Sequence, residues 1–418
     1  MGGTKPRSSW KTLLLILAGF LMIALLPPAI LIGPSFYQPL TFWDQVFNSI
    51  LVNVVAGVAA VFATNEFKRH PQRHPATYIV PTLLTIYGLL LALILILRAA
   101  YSIKILSLGF GLCFLSLVLY FLVQHRRIRR RLFVVPFGLV DRLQDGPHCK
   151  FKLLQKPALP AVHFDGIAAD LVSNEIPADW QRFLARCVLK GIPVYGAGQL
   201  LESLTGRVDI GHLSENELGD LVPPKLSQDI KWGAEVLFLL ATLPVWLPVM
   251  LLIAIWITLD SPGGPVYIQD RMGFMGKTFR VFKFRSMTVD HQGGHFTQKD
   301  EADRITRVGR VIRKYRLDEL PQFLNVIKGD MSLIGPRPES SALAEWYDHE
   351  VPFFAYRHIV RPGISGWAQV MHGYAAGVEE MNDKLAYDFY YIKHFSFWLD
   401  LLIWYKTLRT ILTGFGSR

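Results

Sequence analysis

Four uncharged apolar stretches fill the first third of this 418-residue chain, and nothing else in the sequence limits the fold as strongly. They run over residues 13–32, 46–64, 78–97 and 105–123, each close to the ~20 residues an α-helix needs to cross a bilayer. None contains Asp, Glu, Lys, Arg or His. Apolar residues make up 51% of the chain and charged residues only 18%, against roughly 25% charged in a soluble globular protein. That balance excludes disorder, which needs low hydrophobicity with high charge. It also argues against an ordinary soluble enzyme, because water does not solvate so much apolar surface. The first stretch is too long, and too interrupted by Pro27 and Pro28, for a signal peptide's apolar region. Pro6 breaks the N-myristoylation pattern. Four transmembrane helices are the expectation.

The chain carries 44 Lys and Arg against 33 Asp and Glu, a surplus of eleven positive charges. Such a surplus suits nucleic acid or an anionic membrane surface, and its placement decides between them. Lys5, Arg7 and Lys11 precede the first stretch, Lys68, Arg69 and Arg73 lie between the second and third, and five arginines at 126, 127 and 129–131 follow the fourth. By the positive-inside rule both ends of this bundle face the cytoplasm. The partner implied is the lipid bilayer, with no nucleic acid. Three cysteines without paired spacing exclude a disulfide framework and a cysteine zinc site, which points to a reducing compartment.

Beyond Arg131 the composition becomes mixed. Residues 132–135 and 162–169 read as strands, 183–190 as a helix and 192–195 as a strand, punctuated by Gly191. About ninety-five residues suffice for half of a doubly wound sheet, a partial Rossmann-like α/β domain. Gly196-Ala197-Gly198 lacks the third glycine and the later acidic residue of a dinucleotide fingerprint, so it reads as a tight turn after a strand.

A fifth apolar segment covers residues 232–257, roughly 39 Å as a straight helix and long enough to span. Pro244 and Pro248 near its middle each delete a helix hydrogen bond and invite a break. Lys225 and Lys231 precede it; Arg271, Lys277, Arg280, Lys283 and Arg285 follow it. With basic flanks and soluble sequence on both sides, the economical solution is a re-entrant helix that enters, breaks at the prolines and returns on the same face. The last helix, 396–413, puts Phe397, Leu401, Trp404, Leu408 and Ile411 on one face. That face suits the membrane interface or packing onto the domain core.

The chemistry lies after this segment. Asp318 and Glu319 open a short helix, and Gly335-Pro336-Arg337-Pro338 follows shortly after it. One carboxylate in a first turn is ordinary helix electrostatics. Two side by side, ahead of an arginine whose direction is fixed by flanking prolines, look like a phosphate and metal site. Lys283 and Arg285 alternate on a strand-like run, which would put both on one face. Arg361 opens a Gly-rich turn whose backbone N–H groups could cradle an anion.

Lys283-Phe-Arg285-Ser-Met, Asp318-Glu319-Leu-Pro-Gln, Lys328-Gly-Asp-Met-Ser, Gly335-Pro-Arg337-Pro and Arg361-Pro-Gly-Ile-Ser-Gly-Trp-Ala-Gln-Val occur in that order. The set resembles the bacterial sugar transferases, the monotopic polyprenyl-phosphate glycosyl-1-phosphate transferases, over about residues 231–418. The preceding spans and α/β domain make it similar to the large members. The resemblance implies three domains: 1–131 transmembrane, 132–228 Rossmann-like and cytoplasmic, and 229–418 catalytic. The last would be mixed and mostly helical, anchored by the re-entrant helix. It implies the bacterial inner membrane, with the N-terminus and catalytic domain cytoplasmic. It further implies transfer of a sugar-1-phosphate from a UDP-sugar to undecaprenyl phosphate with release of UMP, the initiating step of exopolysaccharide, capsule or O-antigen synthesis. Asp318 would be the nucleophile, forming an aspartyl-phosphosugar intermediate. Glu319 would assist or share Mg²⁺ with Asp318, and Lys283, Arg285, Arg337 and Arg361 would meet phosphate oxygens.

Two departures from the family's pattern stand out. Leu247-Pro248 replaces Ser-Pro at the helix break, and Met371-His372-Gly373-Tyr374 replaces Asn-Gly-Arg after Trp-Ala-Gln-Val. Lys384, Asp388, Tyr390, Tyr391 and Lys393 fit the pattern, with no role assigned beyond contact with the donor. His291 and His295 flank a Gly-Gly loop and make a poor metal pair. A transporter would need intramembrane ionisable groups, which the spans lack. A catalytically decayed scaffold of a polysaccharide assembly complex is a second alternative, opposed by the intact Asp318, Glu319, Lys283 and Arg337. A third keeps the enzyme with a non-polyprenol lipid acceptor, as in phospholipid head-group synthesis, but such enzymes place their aspartates on transmembrane helices, whereas here they follow a soluble strand. A homo-oligomer is compatible with the sequence, which fixes neither oligomeric state nor sugar.

Overall fold

The computed structural model describes residues 19, 22, 26–30, 40–67, 79–125, 130–146, 149–171, 173, 175–210, 222–288, 304–373 and 377–413. Two compact units divide the chain, Met1–Gly206 and Arg207–Arg418. Arg207 and Val208 belong with the second because Arg207 pairs with Asp383 and the Val208 N–H donates to the Ala386 carbonyl.

Among the described residues the first unit holds three long apolar helices, α1 (Leu40–Phe67), α2 (Ile79–Ile96) and α3 (Ile103–His125). Phe42–Ala63 and Ile79–Ile96 are long and apolar enough to cross a membrane, whereas the apolar part of α3, Ile103–Leu119, is shorter. The first expected span, 13–32, lies mostly outside the described residues. Apolar burial offers helices in lipid little reason to associate, so polar side chains hold them together. Asn53 donates to the Ile105 carbonyl at 3.1 Å and accepts from the Tyr87 hydroxyl at 3.1 Å. Asn48 donates to the Ala100 carbonyl, and the Ser102 N–H donates to the Ser49 hydroxyl.

A small parallel sheet follows, built from β1 (Arg130–Val134), β2 (Cys149–Leu153), β3 (Gly166–Ala169) and β4 (Val194–Gly196) in the order β2-β1-β3-β4. Phe133, Ile167 and Ala169 pack against Trp180, Phe183, Leu184 and Cys187 of α4 (Ala178–Leu189). Val134 and Ala168 face the other way, toward Ala197 at the start of α5 (Ala197–Thr205). Cover on both faces is the condition a parallel sheet requires. Gly196 ends β4 as the turn into α5, the bland reading of Gly196-Ala197-Gly198.

The second unit begins with α6, Lys225–Asp260, 36 residues assigned as one helix through both prolines. Leu237, Phe238, Val245, Leu251, Leu252 and Ile255 are exposed on it, and the helix is long and apolar enough to cross a membrane, so this apolar surface suits lipid. Pro244 and Pro248 leave the Leu240 and Pro244 carbonyls without their helical donors. The Trp246 indole N–H instead reaches the Leu239 carbonyl at 2.8 Å. The two prolines, four residues apart, are where a bend in this helix would fall. Thr242 donates back to the Phe238 carbonyl at 2.8 Å, which also favours bending.

Both ends of α6 pack on one core. The Trp232 indole N–H donates to the Val326 carbonyl at 2.8 Å, while Ile253 and Ile257 sit against Phe284, Val308 and Ile312. That core is made by the antiparallel hairpin β5 (Val266–Met272) and β6 (Thr278–Phe284), α7 (Arg307–Lys314) and α8 (Phe323–Lys328). The Thr306 hydroxyl caps α7 by accepting from the Gly309 N–H. A parallel pair, β7 (Ser332–Ile334) and β8 (Gly363–Ser365), follows. Helices α9 (Ser341–Glu350), α10 (Trp367–Met371), α11 (Val378–Lys393) and α12 (Phe397–Thr413) complete the unit.

Candidate active site

Asp318 and Glu319 lie in a 3₁₀ turn, Leu317–Gln322, between α7 and α8. Asn325 docks this turn on β6: it accepts from the Phe282 N–H at 3.1 Å and donates to the Arg280 carbonyl at 2.7 Å. Lys283, on the adjoining residue of β6, is thereby brought beside the two carboxylates. The chain enters the turn through Arg316, whose backbone is left-handed at φ 54°. A non-glycine residue there carries strain of about 1–3 kcal/mol, of a kind that concentrates at functional sites.

The neighbouring carboxylates have different surroundings. Glu319 is buried, with Arg337 Nη2 at 2.8 Å from Oε1 and Arg316 Nη1 at 3.7 Å from Oε2. Burial alone would raise its pKa, but Arg337, Arg316 and Lys283 outweigh that and hold it below the usual carboxylate range. Asp318 has no ion pair among the described residues. Burial first, and then the charge of Glu319, push its pKa up to about 6, against the pull of Lys283 and Arg337. The Lys283 ammonium is pushed down to about 8 by burial and by the neighbouring cations Arg337 and Arg271.

Arg337 stands on a turn fixed on both sides. The Gly335 N–H donates to the Ser365 carbonyl and the Gly363 N–H to the Pro336 carbonyl, each at 2.9 Å. The two segments run so close together that a Cβ on Gly363 would lie 2.0 Å from the Gly335 nitrogen. Only glycine fits. The glycines of the 361–366 stretch therefore serve this close approach, and the Gly363 N–H serves the Pro336 carbonyl rather than an anion. Beyond Arg337, Arg357 donates to the Arg337 carbonyl at 2.9 Å and Arg271 donates to that of Pro338. Arg357 is fully buried and paired with Asp388 at 2.8 Å; Glu339 pairs with Lys384 and with Arg357 at 3.5 Å. Burial raises the Glu339 pKa, but Lys384 and Arg357 overcome that and bring it down to about 2.

Four of the residues expected from sequence, Lys283, Asp318, Glu319 and Arg337, thus come together. Arg285 and Arg361 do not join them. Strand β6 ends at Phe284, and the Arg285 guanidinium turns to the Ser261 and Pro262 carbonyls at 2.7 and 2.8 Å, just past the end of α6. Arg361 lies over the rings of Trp232 and Phe274, 3.3 Å from Asp229 near the start of α6. Each arginine grips one end of the membrane helix. Sequence reasoning left without a site role Arg271, Arg316 and the set Glu339, Arg357, Lys384 and Asp388. The four-residue spacing of Lys384 and Asp388 on a helix whose Met381, Leu385 and Phe389 are buried was a readable signal of buried charge.

For a metal, Asp318 and Glu319 are the nearby carboxylates, and Glu319 already has arginine on each oxygen. No group of three or more metal-ligating side chains occurs among the described residues. Such a pair fits an ion that takes one or two carboxylates and completes its shell with phosphate oxygens and water, the habit of Mg²⁺.

Residues 226–414 match the bacterial sugar transferase family. The chain is 45% identical, over 90% of its own length and 90% of the relative's, to the UDP-N-acetylgalactosamine-undecaprenyl-phosphate N-acetylgalactosaminephosphotransferase of Aeromonas hydrophila. It is 35% identical to the UDP-glucose:undecaprenyl-phosphate glucose-1-phosphate transferase of Caulobacter vibrioides, over 62% of this chain and 98% of the relative. To the Escherichia coli enzyme of the latter activity it is 39% identical, over 46% of this chain and 40% of that one. Similarity that runs through the spans, the small sheet and the carboxylate cluster alike makes this chain an enzyme of the bacterial sugar transferase family.

Proposed function

We propose that the protein transfers a sugar-1-phosphate from a UDP-sugar to undecaprenyl phosphate in two displacements at one phosphorus. The observation that carries this reading is the unequal environment of the two carboxylates. Glu319 is held by two arginines, while Asp318 has no ion pair among the described residues and is ionised above about pH 6, beside a cationic Lys283. In the first displacement an Asp318 oxygen forms a bond to the sugar-linked phosphorus, the bond from that phosphorus to the bridging oxygen breaks, and UMP leaves with the electron pair. In the second, a phosphate oxygen of undecaprenyl phosphate attacks the same phosphorus and the aspartyl carboxylate departs. One hard step becomes two easier ones. Lys283 and Arg337 neutralise the diphosphate where charge builds, the main lever in phosphoryl transfer, and Glu319 orients Arg337. Mg²⁺, taken up with the nucleotide at Asp318 and Glu319, would supply further neutralisation of the leaving UMP.

The Aeromonas relative's printed activity makes UDP-N-acetylgalactosamine the first donor to try. The topology belongs to the same reading: four spans at the N-terminus, then a re-entrant α6 broken at Pro244 and Pro248, with N-terminus and active site on the cytoplasmic face of a bacterial inner membrane. The two prolines inside α6 and the anchorage of both its ends on the same domain support it. The product, a diphosphate-linked sugar on the lipid, suits the first step of surface-polysaccharide assembly.

The test is UMP release from a panel of UDP-sugars with undecaprenyl phosphate and Mg²⁺. Wild type should release UMP and carry a covalent phosphosugar when the acceptor is withheld, and Asp318→Asn should do neither. Near-normal turnover by Asp318→Asn would overturn the mechanism.

A further inference from the structure

The first turns of α6 carry two buried charges, and α12 brings a third against them, with no role in the chemistry just described. Lys231 Nζ lies 3.0 Å from Asp400 of α12 and 3.7 Å from Glu235, one turn further along α6, and these side chains are only 12–14% exposed. Buried ion pairs seldom stabilise more than apolar residues of the same shape, so their use must be sought in what they hold. They hold β7. Glu235 accepts from the Ser332 hydroxyl at 2.8 Å and from the Leu333 N–H at 3.1 Å. Lys231 donates to the Ile334 carbonyl at 2.6 Å and to the Tyr391 hydroxyl at 2.6 Å, and that hydroxyl donates to Asp400 at 2.9 Å.

The strand so held is three residues long and leads without a break into Gly335-Pro336-Arg337-Pro338. Proline fixes its own φ and restricts the residue before it, so the turn has little freedom to absorb a shift of Ile334. Downstream, Arg357 and Arg271 fix the Arg337 and Pro338 carbonyls. Upstream, β8 pairs along one edge of the strand, and the side chains that fix it come from the membrane helix.

We propose that Lys231 and Glu235 are positioning residues for Arg337: one turn of the membrane helix sets, through β7, where the guanidinium meets the donor's phosphate. This rests on the reading of Arg337 as a phosphate contact. It makes the geometry of the active site depend on how α6 is seated, and it explains why charges sit at the head of a segment otherwise bound for lipid.

A double-mutant cycle on the full chain in nanodiscs tests it, with single-turnover UMP release, donor KM and thermal unfolding as readouts. Glu235→Ala should lower kcat about tenfold, the scale on which directly linked residues couple. Donor KM should stay within about twofold, the pattern of an interaction made in the transition state. Glu235→Gln, which keeps an oxygen for the Leu333 N–H at the same shape, should recover most of the loss, and it guards against a misfolded alanine variant. In an Arg337→Ala background, Glu235→Ala should remove nothing further. The proposal is overturned if Glu235→Ala loses the same factor with and without Arg337, or if Glu235→Gln is no better than alanine. Wild-type turnover by Arg337→Ala alone would instead overturn the phosphate reading of Arg337, and the positioning role with it.

Discussion

Adjacent carboxylates in one turn ordinarily share an environment; Asp318 and Glu319 do not, and the division has a consequence in pH. Asp318 titrates at about 6 because it is buried beside another carboxylate, and Lys283 at about 8 because it is buried among cations. The nucleophile must be ionised and the lysine protonated. As pH falls through about 6, Asp318 gains a proton and turnover falls; as pH rises through about 8, Lys283 loses its charge and turnover falls again. The kcat/KM profile for UMP release is therefore a bell with its top near neutrality. Lys283→Arg separates the limbs, since a guanidinium stays charged throughout: the acid limb should remain and the alkaline limb should vanish. An unchanged alkaline limb in that variant would remove Lys283 from the role.

At the level of elements, β6 and the turn after it show how far a strand pattern can be read. Alternation alone gives Lys283 and Arg285 one shared face, but the strand stops at Phe284 and the chain turns, so the two side chains diverge. Arg285 makes three hydrogen bonds to Ser261 and Pro262. Its removal leaves buried carbonyls unpaired at about 1–3 kcal/mol. Arg285→Ala should accordingly lower the thermal unfolding midpoint with donor KM unchanged, whereas Lys283→Ala should impair turnover with the midpoint held. The reverse pattern would return Arg285 to the phosphate. Contiguous features were legible: the carboxylate pair, the proline-flanked arginine and the apolar runs are each written within a few residues. Arg271, Arg357 and Asp388 were not, because they come from separate elements and meet the arginine turn only through folding. Strand β2 escaped for a related reason: Cys149-Lys-Phe-Lys-Leu is a short edge strand, exposed along most of its length, and carries little of the apolar signal a central strand shows.

Across the whole molecule, the question with most leverage is what α6 does in the bilayer. A straight 36-residue helix would be about 54 Å long, more than one bilayer needs, and would carry Asp260 to the far side. Yet the Asp260 carboxylate accepts from the Val308 N–H at 3.1 Å, and Trp232, near the other end, donates to Val326 in the same core. One core cannot lie on both sides of a membrane. The proposed break at Pro244 and Pro248 reconciles the length with that anchorage and leaves the exposed apolar residues between the two anchors, Val245 and Leu247 among them, to face lipid. Cysteine labelling can check this directly, because the native Cys113, Cys149 and Cys187 are buried. Ser227→Cys in the first turn of α6 and Lys277→Cys beyond its end are exposed positions on either side of its apolar stretch. In sealed inverted inner-membrane vesicles both should react with a membrane-impermeant maleimide, and in intact spheroplasts neither should, while Leu247→Cys should stay unlabelled in each. Labelling of the two flanking sites from opposite sides would make α6 a through-span and break the argument from shared anchorage.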